Sequence, residues 1–223
     1  MRAMYYDLIT SLPHLPHFEK AERLPITPLR LSRRLLRLEP SHAEQLAQAR
    51  SLVNWPRTGP LTGSESDFIE KCTGLMVWPL DVALREYVAF RMDQQTILSA
   101  LRRKRQGDSV PSGDRRWGVG PRVHHLQKHW DVPDFRLGHF HPWILPARDL
   151  MESGDALGLE RLMMDVAWKR LDRCAERNMF SFEAVFAYVF KWDILQAWLA
   201  TDADKATIRF RELIEEVTHV DPS

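Results

Sequence analysis

Five histidines fall within one short span: His124, His125, His129, His139 and His141. His125 and His129 are four residues apart, so a helix would set both imidazoles on one face, as a zinc pair requires. His139 or His141 would then supply a third ligand, and the cluster would serve a metal-dependent enzyme. Two features oppose this. No Glu adjoins the pair in an H-E-x-x-H arrangement, so the usual general base is missing. Arg122 and Lys128 also place cations beside the imidazoles. The same spacing describes a polar helix face followed by a Trp- and Pro-rich loop, and no metal or cofactor is expected.

Basic residues offer a second chemistry. "LRRKRQG" over 101–107 and the Arg115–Arg116 pair before Trp117 set cations beside an aromatic, a composition used on nucleic acids. It is also that of a helix C-terminus followed by a loop. The formal net charge of +1 provides no general field for a polyanion, and no nucleic acid is expected as a partner. The carboxylates Glu183, Asp193, Asp202 and Asp204 fall on or between helical stretches. Capping accounts for Asp202 and Asp204, and a structural hydrogen bond suits Asp193 better than acid–base work. "GVGP" over 118–121 lacks the third glycine and preceding strand of a dinucleotide fingerprint. Neither a phosphate loop nor a G-x-S-x-G elbow occurs.

The elements that would position these residues are helical. Tyr5, Tyr6, Leu8 and Ile9 have strand composition, which predicts a short N-terminal strand before prolines 13, 16, 25 and 28. Thr27 followed by Pro28 is a helix start, with Leu31, Leu35 and Leu38 on one stripe. Pro40 and Ser41 interrupt it, and a second helix resumes with Leu46, Ala49 and Val53 on a face. Residues 56–66 read as a loop. A longer helix is predicted from about Asp81 to Gln106, with Leu84, Tyr87, Val88 and Arg91 sharing a face with Gln95 and Leu98. Its cationic end and Gly107 fit a helix terminus. Residues 107–121 read as the clearest loop or linker, with too much Gly, Pro, Ser and Asp for a packed element. A short helix around His124–Trp130 follows, and then a stretch too rich in proline and glycine for a regular element.

In the last third, Asp155 caps a predicted helix through about Arg177, with Leu159, Leu162, Met163 and Val166 on one face. A second helix carries Phe182, Val185, Phe186 and Val189 at i, i+3, i+4 and i+7. "TDAD" over 201–204 caps a third, with Phe210, Leu213, Ile214 and Val217. Short connections imply antiparallel packing. The expected fold is a mostly α multi-helix bundle with antiparallel C-terminal helices. It is expected as one helical domain over 1–223, whose natural division would be 1–106, the loop 107–121, and 122–223.

At 223 residues, 44% hydrophobic and 27% charged, the chain has the composition of a soluble globular protein large enough to bury a core. Cys72 and Cys174 are too few for a disulfide framework and read as small hydrophobes in a reducing compartment. With neither a signal-peptide pattern nor a bilayer-length apolar run, the expectation is a cytoplasmic protein.

Three stretches carry a resemblance. "MYYDLITSLPHLP" resembles the YY-x-[apolar]-x-x-SLP opening of a bacterial family of unknown function, encoded beside V/A-type ATPase genes and described as similar to the C subunit of those machines. "FSFEAVFAYVFKWDILQAWLATDADKATIRFRELIEEV" is similar to its closing helices, and "PDFRLGHFHPWI" to its middle. The resemblance implies a non-catalytic accessory subunit of an ion-translocating rotary ATPase, or an operon-associated assembly factor. The C subunit is an all-helical socket that seats the central shaft on the membrane ring, and this chain is shorter than its usual three-subdomain funnel. The implied partners are those shaft and ring subunits, which would hold the chain peripherally at the cytoplasmic face of the inner membrane. Tyr5, Tyr6, Trp143, Tyr188, Trp192 and Trp198 are the aromatics expected to meet partners.

Overall fold

The structure is a computed structural model that describes residues 4–53, 55, 70, 73–74, 78–111, 117–177 and 179–218, with the backbone alone at 177 and over 202–218. The expected loop at 56–66, Cys72 and the Arg115–Arg116 pair lie outside the described residues. All regular structure described is helical, as the periodicities predict.

The predicted N-terminal strand is instead a short helix, α1 (Tyr6–Ser11). The chain there buries Tyr5 and Leu8 at a helical spacing and leaves Tyr6 exposed, so the alternation a strand needs is absent. Asp7 favours the helix N-terminus. Extended structure survives only at Met4, which bridges Ser181, while the Tyr5 amide donates to the Phe180 carbonyl at 2.6 Å. A 3-10 turn over Phe18–Lys20 buries Phe18 completely.

Helix α2 (Pro28–Leu35) begins as expected: Thr27 Oγ1 accepts from the Arg30 amide and proline occupies the first turn. Helix α3 (Pro40–Val53) buries Leu46, Ala49 and Val53. Helix α4 (Val82–Arg105) is capped by Asp81, whose carboxylate accepts from the Ala83 and Leu84 amides. It stops where Gly107 adopts φ +81°, a left-handed turn that a Cβ would disfavour.

Of the segment read as a loop or linker, residues 112–116 lie outside the described residues, and the part from Trp117 onward packs against α4. Trp117 and Val119 are buried, and Thr96 Oγ1 both donates to the Val119 carbonyl (2.7 Å) and accepts from its amide (2.9 Å). Gly118 permits the approach, since a Cβ there would lie 2.6 Å from Thr96 Cγ2. At Gly118 the absence of a side chain is thus a packing requirement. Helix α5 (Val123–Lys128) is followed by turns and by α6 (Ile144–Ser153). The residue pattern conceals α6, because Pro142 and Pro146 argue against regular structure. Pro146 sits in the first turn, where no intrahelical donor is needed.

Helix α7 (Ala156–Arg177) begins after Asp155, whose Oδ1 accepts from the Gly158 amide at 2.8 Å. Helix α8 runs unbroken over Phe182–Thr218, 37 residues or roughly 55 Å at 1.5 Å per residue. The turn expected at "TDAD" does not form. Thr201 Oγ1 donates back to the Ala197 carbonyl at 3.1 Å, bonding within the helix rather than capping a new one. The side chains of Asp202, Asp204, Phe210, Leu213, Ile214 and Val217 lie outside the described residues. Helices α7 and α8 pack against each other in antiparallel fashion. Lys191 Nζ donates to Asp172 at 2.8 Å and lies 5.4 Å from the Trp168 ring centroid.

The core has two regions. One gathers α1, the 3-10 turn, α2, α3, the first half of α4, and the facing sides of α7 and α8 around Tyr87, Phe186 and Phe190. The other surrounds Ile97, Trp117, Leu126, Trp130, Phe135 and Ile144. Helices α4 and α7 contribute to both, Met92 and Ile97 falling on either side, as do Met164 and Met163. Each large side chain so buried contributes about 1.5–3 kcal/mol.

Candidate functional site

The histidine span is placed by α5 and the turns after it. His125 and His129 lie one turn apart with ring centroids 4.6 Å from each other, the pairing their spacing predicts. The third ligand does not join them. His125 Nε2 donates to the Phe135 carbonyl at 2.9 Å, so that nitrogen carries a proton. His139 is exposed with its ring beside Phe140, and His124 is exposed as well. His141 is buried against Trp143. Desolvation, then the His125, Arg136 and Lys128 charges, hold His129 below the ordinary imidazole range. Among the described residues no three His, Cys, Asp or Glu side chains converge on a metal-sized point.

The six aromatics expected at partner contacts divide sharply. Tyr5 is buried, with its hydroxyl on His42 Nδ1 at 2.5 Å and on the Glu39 amide. His42 stacks on Phe182 at 4.1 Å, tying α3 to α8. Trp192 is 2% exposed and donates through Nε1 to the Ile26 carbonyl at 3.0 Å. Trp143 is buried too. Tyr188 donates to the Pro13 carbonyl at 3.0 Å, and burial pushes its phenol up to about 12. Trp198 is half-buried, edge-on to Phe18 at 5.2 Å. These five brace the molecule, because a large ring in a helical core is satisfied by filling it. Tyr6 alone is broadly exposed, at 53%, with its ring 4.6 Å from Phe180. Met4 and Met179 are exposed too, Met4 where the N-terminus bridges Ser181 and Met179 next to Phe180 in the chain.

The charged groups that matter most lie elsewhere. Asp193 is 5% exposed and accepts from Arg50 twice, Nε to Oδ2 at 2.9 Å and Nη2 to Oδ1 at 2.5 Å. This is the structural role its sequence context suggests. Asp93 on α4 accepts from Arg122 Nε at 3.0 Å, leaving its buried Oδ1 without a partner. Burial raises the Asp93 carboxyl despite the opposing pull of Arg122. Burial, then the Arg122 charge, lowers His141 to about 4, and its buried Nε2 has no partner. Arg91 is buried with its guanidinium 4.2 Å from the Trp55 ring centroid. A signal for Arg91 stands in the sequence, where it shares the apolar face of Leu84, Tyr87 and Val88. Asp93 and Arg122, 29 residues apart, give none.

Residues 81–220 match the family described as Protein of unknown function (DUF2764). The chain belongs to that family. Neither the curated proteins nor the solved structures contain a match to it. In this DUF2764 member the matched stretch opens at the Asp81 cap and takes in α4 through α8. Arg91, Asp93, Arg122, His141 and Asp193 therefore sit inside it, whereas Tyr6 and Arg50 precede it.

Proposed function

We propose that this chain is a non-catalytic adapter resembling the C subunit of a V/A-type rotary ATPase, joining the central shaft to the membrane ring at the cytoplasmic face. The observation that carries the reading is the exposure of the large apolar side chains Met4, Tyr6 and Met179 on a helical scaffold. Tyrosine and methionine are the side chains that protein interfaces favour, one rigid and amphipathic, the other adaptable. Interhelix braces such as Arg50–Asp193 and Lys191–Asp172 suit a part that transmits force. None of the helices is long and apolar enough to cross a membrane, among the described residues, so the adapter meets the membrane through its partners.

The test is capture of the purified chain by purified shaft and ring subunits. Binding to the shaft is expected, weakened at least about tenfold by Tyr6→Ser combined with Met179→Ser, the loss of two interface anchors. Failure to bind either partner overturns the proposal. So would stoichiometric zinc in the purified protein that disappears in His125→Ala.

A further inference from the structure

Buried charge in this fold is compensated at Asp193 by Arg50, at Asp93 by Arg122, and at Lys191 by Asp172. Arg91 breaks the pattern. It is 4% exposed, and among the described residues no carboxylate pairs with it. Its Nη1 donates to the Gln94 side-chain carbonyl, and its buried Nε has no hydrogen-bond partner. A guanidinium keeps its charge in proteins, and a desolvated charge without a counter-ion is strongly unfavourable. One turn further along the same face, Gln95 also carries a buried side-chain oxygen without a partner. An orphaned cationic donor and an orphaned acceptor thus belong to residues one helical turn apart on α4. Asp93, two residues from Arg91, is directed to Arg122 and lies off that face.

We propose that Arg91 and Gln95 form a binding site for a small carboxylate bearing an adjacent hydroxyl group. The carboxylate accepts from Arg91 Nε, and the hydroxyl donates to Gln95 Oε1. The Trp55 ring centroid lies 4.2 Å from the guanidinium carbon, and the in-plane edge of a guanidinium is where arginine takes carboxylates. Gln94 fixes the guanidinium's orientation, being itself anchored through Nε2 on the Met163 carbonyl at 3.2 Å. This site stands apart from the Tyr6 surface and holds whether or not the chain is an adapter.

The experiment is thermal unfolding of the full chain in sodium glycolate, acetate or chloride at matched ionic strength. Glycolate is expected to raise Tm saturably, by about 3 °C or more over chloride, and acetate by less. Gln95→Leu should reduce the glycolate effect to the acetate level, and Arg91→Gln should abolish both. No glycolate shift beyond chloride in the wild type overturns the site, as does a shift that survives in Arg91→Gln. If Arg91→Gln does not fold, the wild-type Arg91 Nε–Hε NMR resonance decides: movement on adding glycolate supports the site, and a stationary resonance overturns it.

Discussion

At the scale of single residues, the buried ionisable groups set how stability responds to pH. His141 titrates at about 4 in the fold against an ordinary 6.5. Between those values the unfolded chain binds the proton that the folded chain refuses, so stability falls as pH drops from about 6.5 toward about 4 and levels off below. Asp93 acts in the opposite sense at the acid end, because its raised carboxyl takes up a proton more readily folded than unfolded. Chemical denaturation across that range should show the His141 slope, and His141→Gln should flatten it; an unchanged slope would refute the assignment. The Arg50–Asp193 pair makes a second expectation. Asp193→Asn leaves the partly exposed Arg50 guanidinium facing a neutral group and should cost about 2 kcal/mol. A loss below about 1 kcal/mol in urea denaturation would mean that the pair contributes as little as an exposed one.

At the scale of elements, local rules succeed where the neighbours that decide a helix end are close in sequence. Thr27–Pro28, Asp81, Gly107 and Asp155 all do at their termini what their types dictate. They fail where a capping residue can be absorbed. "TDAD" carries good caps, yet α8 continues through it, since the side chains that start a helix are tolerated inside one at small cost. Ala203→Pro tests this directly. Inside a continuous helix it removes a backbone bond and clashes with the preceding turn, at about 3 kcal/mol, so ellipticity at 222 nm should fall. Unchanged ellipticity would restore the two-helix reading.

At the scale of the whole molecule, the two core regions share α4 and α7, so neither can come apart without exposing the flank of the other. The expectation is one cooperative unfolding transition, with calorimetric and van't Hoff enthalpies that agree. Two resolved transitions would instead place an independent boundary near 107–121.

Helical content, several helix ends and the apolar faces are legible in the residues alone, because they follow from periodicity and capping over a few positions. So is the His125–His129 pairing, which is one turn of helix. Which aromatics are exposed depends on packing instead. Tyr5 and Tyr6 are adjacent and alike in type, yet one is buried on His42 and the other lies open. The same holds for Asp93 with Arg122 and for Arg50 with Asp193. Partners 29 and 143 residues apart are chosen by how helices pack, and no local pattern encodes that distance.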